Sequence, residues 1–221
     1  LTKSEGIPHV LRGSAACSLV AYLMGIHDID PIKHNIPLER FLNWTRSDHP
    51  DFDIDYPYNV RDDIIEKLQS MYPGRVARIS NRVMYREKSA LRQACRDFGH
   101  TGRLPRWFNL KDIFPDPDTR NKVRERAEEL EGTQRMWMRH CGGIVIFDDH
   151  IPSDLVLDAE DNQIAADKED VKENDWIKID ILSNRGLAQL NELDDRKVNE
   201  YPKDDEKASR LICEGKNLGL T

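Results

Sequence analysis

Between Pro50 and Tyr56 the chain reads Asp-Phe-Asp-Ile-Asp-Tyr, carboxylates alternating with apolar side chains at a period of two. Successive side chains of a β-strand point to opposite faces. The pattern therefore specifies a strand with Asp51, Asp53 and Asp55 on one face and Phe52, Ile54 and Tyr56 turned to a core on the other. Like charges held so close repel, which raises a pKa or destabilises the fold unless a cation sits among them. A hard divalent ion resolves the conflict. Mg2+, with Mn2+ in its place where available, takes oxygen ligands and shares its coordination with phosphates. An exposed acidic sheet edge is the plain alternative.

A second strand is indicated by Trp176-Ile177-Lys178-Ile179-Asp180-Ile181-Leu182, where a charged residue inside an apolar run needs a partner or a metal. Paired beside the first strand, Asp180 would join the cluster and bridge two metals, an arrangement suited to phosphoryl transfer. Lys178 shares its face, as a charge-balancing ion pair or as a phosphate contact. Gly13-Ser14 stands where a loop enters a helix, so free backbone N–H groups can receive a phosphate there, although Ser14 serves equally as a plain N-cap.

The bulk properties set the class. In 221 residues, 38% hydrophobic and 33% charged content describe a folded globular protein of one or two domains. No run approaches a membrane span and no charged-then-apolar leader opens the chain, so a cytoplasmic location and no membrane partner are expected. The four cysteines are too scattered for a zinc or redox motif. A net charge of −7 argues against a surface that grips a polyanion throughout, but basic residues are dense from Arg75 to Arg106. They face phosphates, or simply solvate a helix.

Along the chain, Ala15–Met24 is apolar nearly all round and reads as a buried helix closed by Gly25. A short helix is expected around Leu38–Leu42, an amphipathic helix over 60–71, a short strand over 76–80, and helices over 86–98 and 119–130. Core strands follow over 142–147 and 176–182, separated by a polar, acidic connection. Strands at both ends of a helical, basic middle predict an α/β fold with a helical insertion between about Ser80 and Arg135.

A Gly-Ser at a helix start, a strand Asp-x-Asp and a distant strand Asp together resemble the nucleotidyltransferases of the DNA polymerase beta superfamily. More specifically, several blocks resemble, in order, the palm and thumb of bacterial family C polymerases, the DNA polymerase III alpha subunits. They are Arg12–Tyr22, Asp28–Pro31, Leu38–Asn43, Pro50–Asp55, Lys88 with Arg92, His140–Ile146 and Lys178–Asp180. The resemblance implies a polymerase-beta-like palm, a mixed sheet with helices, carrying an inserted helical thumb. It divides the chain into palm at 1–79 and 136–187, thumb at 80–135 and the start of fingers or a linker at 188–221. Family members are far longer, so a piece of a longer chain is expected.

By the same resemblance, Asp51, Asp53 and Asp180 are the metal ligands, because relatives can carry asparagine at the position of Asp55. Gly13, Ser14, Arg40 and Lys178 lie near the triphosphate of the incoming nucleotide, His140 and Gly142 shape that wall, and Lys88 and Arg92 contact DNA. The implied activity is template-directed DNA synthesis from primer-template DNA and deoxynucleoside triphosphates. A sliding clamp and other polymerase subunits would be reached through further regions. Cys17, Cys141, Ser80–Val83 and Ser183-Asn184 depart from the family pattern and point to a divergent, accessory or repair member. Two other classes fit the residues less well: a non-catalytic nucleic-acid-binding platform and a smaller nucleotidyltransferase acting on RNA ends or small molecules.

Overall fold

The computed structural model describes residues 2, 4–41, 43, 49–193, 200 and 205–216. Two compact units divide the chain, Leu1–Ser80 with Arg139–Thr221, and Asn81–Met138. Its centre is a seven-stranded mixed sheet in the order β1-β2-β7-β4-β3-β6-β5. The strands are β1 (Val10–Arg12), β2 (Phe52–Pro57), β3 (Val76–Met84), β4 (Gln134–Ile146), β5 (Val156–Asp158), β6 (Gln163–Ile164) and β7 (Lys178–Asn184). β1 runs antiparallel to β2, β2 parallel to β7, and β4 antiparallel to β7. The fold is therefore mixed α/β.

Helices cover the first unit's sheet on both faces. After β2, Asp62 and Asp63 in the first turn favour helix α2 (Arg61–Met71) through its dipole. Its Ile64 and Ile65 are buried against Tyr56, Val76, Ile144 and Ile181. Each such side chain contributes roughly 1.5–3 kcal/mol by leaving water. On the other face, α6 (Lys168–Glu173) starts at a capping box between Asp167 and Asp170 and buries Val171 among Ala77, Ile79, Val145, Phe147 and Ile164. Trp176 closes that cluster edge-on to Phe147, ring centres 5.0 Å apart.

The second unit is held by α3 (Glu87–Asp97) and α5 (Pro117–Leu130), with the single turn α4 (Leu110–Ile113) beside them. Ala94, Cys95, Leu104, Leu110 and Val123 form its core. Helix α5 begins where Asp116 accepts from Asp118 and Thr119 backbone N–H groups and Pro117 occupies the first turn.

The expected buried helix over 15–24 is not there. The chain makes a 3-10 turn at Ser14–Cys17, then α1 (Leu19–Leu23), whose N-cap Ser18 accepts from Ala21 N at 3.2 Å. Val20 and Leu23 are 65% and 74% exposed. An all-apolar run marks no particular face for burial, and a serine in its middle offers the backbone an alternative partner. The acidic connection expected before β7 holds β5, β6 and α6. Of the expected helix at 38–42, a 3-10 turn at Leu38–Arg40 is found, while Leu42 lies outside the described residues. Helices α7 (Arg185–Leu193) and α8 (Glu206–Cys213) complete the described chain. No helix among the described residues is long and apolar enough to cross a membrane.

Candidate active site

In the parallel pairing of β2 with β7, Asp53 stands directly opposite Asp180, and Gly143 of β4 stands opposite Asp180 on its other side. Ile54, Ile179 and Ile181 pack into the cluster under α2. Alternation therefore turns Asp53, Lys178 and Asp180 to the face that carries α6. There they line a cleft of about 350 Å³ with Asp51, and Lys168, Lys172 and Trp176 contribute to the same lining.

Close approach of the strands depends on two glycines. A Cβ at Gly142 would lie 2.4 Å from the Ile181 carbonyl oxygen, and one at Gly143 2.7 Å from Ile79 Cγ1 and 2.8 Å from His140 Nδ1. His140 Nδ1 accepts from Gly143 N at 2.7 Å and from Gly142 N at 3.2 Å, so that nitrogen presents a lone pair. Burial pushes the His140 pKa down, in keeping with a neutral ring.

Asp180 is short of partners. Its side chain is 13% exposed. Oδ2 is ion-paired with Lys178 Nζ, and buried Oδ1 has no hydrogen-bond partner. His140 Nδ1 lies 3.8 Å from Oδ1 and, with its lone pair turned to the glycine amides, has no proton to donate. Beside it, burial above all and then the Asp180 charge raise the Asp53 pKa, Asp51 adds to the rise, and Arg12 and Lys178 oppose it. Lys178 forms the charge-balancing ion pair with Asp180.

Asp55 differs from its neighbours, so the three carboxylates of the strand are not equivalent. It is 5% exposed, receives Arg12 Nε at 2.7 Å and Nη2 at 2.9 Å, and accepts from Asn184 Nδ2 at 3.1 Å. A carboxylate so occupied has little left for a metal. Its isolation from the cluster was not readable from spacing.

Gly13, at φ 79°, lets the backbone pass so close to Asp51 that a Cβ would lie 2.5 Å from its carbonyl oxygen. Asp51 N donates to Ser14 Oγ at 3.0 Å, and Ala15 N donates to Asp51 O at 3.2 Å. The loop thus enters a single 3-10 turn rather than an α-helix, and one N–H expected to be open is used internally. Arg40 is exposed at the end of the Leu38–Arg40 turn, which packs against the Ser14–Cys17 turn. Lys88 and Arg92 lie in the second unit. Lys88 Nζ sits 3.6 Å above the Trp107 ring, and Arg92 donates to the carbonyls of Leu104, at 2.8 Å, and Pro105.

Three contacts of the site have no signal in the sequence. Arg12 holds Asp55, Asn184 does so from β7, and His49 pairs with Asp175 at 2.8 Å beside the cleft. Arg12 ends a strand of only three residues, too short to show a period. Among the described residues no three His, Cys, Asp or Glu side chains are drawn together into a metal-holding cluster. The donors near Asp53 and Asp180 are hard carboxylate oxygens, one of them buried without a partner, which fits Mg2+ in chemistry.

Comparison with known proteins bears on the whole chain. Residues 1–183 match the family model of the bacterial DNA polymerase III alpha NTPase domain. The error-prone DNA polymerase of Corynebacterium diphtheriae is 35% identical over 189 residues, covering 82% of this chain and 17% of that protein. The DNA polymerase III subunit alpha of Thermotoga maritima is 32% identical over 209 residues, covering 95% and 22%. An error-prone DNA polymerase of Allorhizobium ampelinum is 28% identical over 247 residues, covering 98% and 22%. The chain spans about a fifth of the length of these relatives. With most of its length matched by the family model, the chain belongs to the bacterial DNA polymerase III alpha family.

Proposed function

We propose that this chain carries the catalytic carboxylates of a template-directed DNA polymerase, its first unit acting as a polymerase-beta-like palm and its second as a thumb. The observation that carries this reading is the register that sets Asp53 opposite Asp180, with one buried Asp180 oxygen lacking a partner. Asp51, Asp53 and Asp180 would hold Mg2+, with Mn2+ as a substitute. When bound, the metal lowers the pKa of the primer 3′-hydroxyl and neutralises charge on the departing pyrophosphate.

The chain's own residues bind and orient. Gly13 permits close backbone approach beside Asp51, and Ser14 fixes the Asp51 backbone. Lys178 and Arg40 supply cations for the triphosphate of the incoming deoxynucleotide, and neutral His140 with Gly142 forms the wall beside Asp180. Lys88 and Arg92 face primer-template DNA, although the carbonyl bonds of Arg92 give it a structural share as well.

Extension of a labelled primer–template by a polymerase of the relatives' length carrying this chain tests the proposal. The Asp53→Asn and Asp180→Asn variants are expected to lose roughly a thousandfold in kcat, as removal of central charge stabilisation does. Unchanged extension would remove these residues from catalysis, and addition without a template would assign the chain to another class of nucleotidyltransferase.

A further inference from the structure

The segment Arg12–Ala15 is fastened at two points on either side of Asp53, one just before β2 and one within it. At one point Ser14 Oγ and Ala15 N hold the backbone of Asp51. At the other, the Arg12 guanidinium grips both oxygens of Asp55, while Asn184 Nδ2 reaches Asp55 from β7. Asn184 Oδ1 in turn accepts from Leu187 N at 3.1 Å, which ties the same junction to the first turn of α7. Arg12 itself stands opposite Asp53 in the β1–β2 register.

A parallel pair of N–H···O bonds fixes a guanidinium in orientation as well as distance. Asp55 is buried on β2, whereas the Arg12 side chain is 51% exposed, so the buried partner holds the exposed one. We infer that Asp55 is a positioning residue: through Arg12 it locks the Gly13–Ser14 turn against the Asp51–Asp53 segment and so sets where those two carboxylates stand. This deepens the polymerase reading, on which it rests for its functional meaning, and gives the third aspartate a role other than ligation.

The test has two arms. In the metal-free chain, hydrogen exchange at the Asp51 and Ala15 amides reports the turn directly. Asp55→Ala and Arg12→Lys, which keeps the charge but cannot form the paired bonds, are each expected to speed exchange there by roughly tenfold while α5 amides are unchanged. Unaltered protection at Asp51 and Ala15 would overturn the inference whether or not the chain binds metal.

Mn2+ titration of folded variants forms the second arm. A ligating Asp55 makes Arg12→Ala tighten binding, because a nearby cation is gone, and makes Asp55→Ala alone loosen it. A positioning Asp55 makes Arg12→Ala loosen binding despite the lost positive charge, by roughly three- to tenfold, with the double variant no weaker than either single one. Tighter binding in Arg12→Ala would also overturn the inference. Absence of Mn2+ binding by the unaltered chain would count against the metal reading alone, and the exchange result would still decide this one.

Discussion

The two units treat their charges in opposite ways. In the first, Asp53 and Asp180 face one another across a strand pair, and one Asp180 oxygen is buried with no partner. In the second, the prominent cations are engaged by the unit's own side chains and carbonyls. Lys88 lies over Trp107, Arg82 over Trp137 and Arg135 over Tyr85, Arg92 holds two carbonyls, and Arg126 reaches Asp97 and Glu129. Charge that the fold has satisfied holds the fold together. Charge left unsatisfied in a cleft is where an added ion or substrate gains most.

The contrast recurs within one strand, where Asp55 is saturated and Asp53 is crowded, and it sets the largest expected effect. Asp55→Ala removes a buried acceptor of three hydrogen bonds and should destabilise the first unit by about 2–3 kcal/mol in urea unfolding. Next, Arg92→Ala should cost about 1–2 kcal/mol, read as weaker protection of the 104–110 segment, since it frees two carbonyls and a cation–aromatic contact. A stability loss below measurement at Arg92 would return that side chain to a purely ligand-facing role.

Asp53→Asn should act with the opposite sign, raising the melting temperature of the metal-free chain slightly. The raised Asp53 pKa means that the folded state binds its proton more tightly than the unfolded state. Stability is therefore lost as pH rises from the ordinary aspartate value to the folded one, and the charged form is penalised at neutral pH. An amide escapes that penalty. A lower melting temperature in Asp53→Asn would show that the crowding had been relieved by other contacts.

The smallest effect belongs to His140. Its pKa lies below the ordinary imidazole value of 6.5, so the unfolded chain takes up the proton first. Stability should then fall as pH drops below about 6.5 and level off beneath the folded value, and His140→Gln should flatten that decline. A profile that does not respond to the substitution would place the proton elsewhere.

Much of the sheet was legible because its signals are periodic. Ile54 and Tyr56 against Asp53 and Asp55, and Ile179 and Ile181 against Asp180, each fix a face, and helix α2 followed from Ile64 and Leu68. Where periodicity is absent the sequence is mute. The run after Ser14 is apolar nearly all round and forms a turn and a short, partly exposed helix. Strands β1, β5 and β6 have two or three residues each, too few to show alternation. The capping box at Asp167–Asp170 was a readable start for α6, hidden in a stretch that looked uniformly acidic. Facing, but not partnership, can be read from spacing: Asp51, Asp53 and Asp55 share a side in sequence, and only the fold brings Arg12 and Asn184 to one of them.

The central claim, that Asp53 and Asp180 with Asp51 are built to receive a divalent cation, is tested most directly by Mn2+ binding to the 221-residue chain followed by paramagnetic resonance. Saturable binding is expected in the unaltered chain, and its loss in Asp53→Asn and Asp180→Asn with the fold retained. Equal titration of all three proteins would contradict the claim.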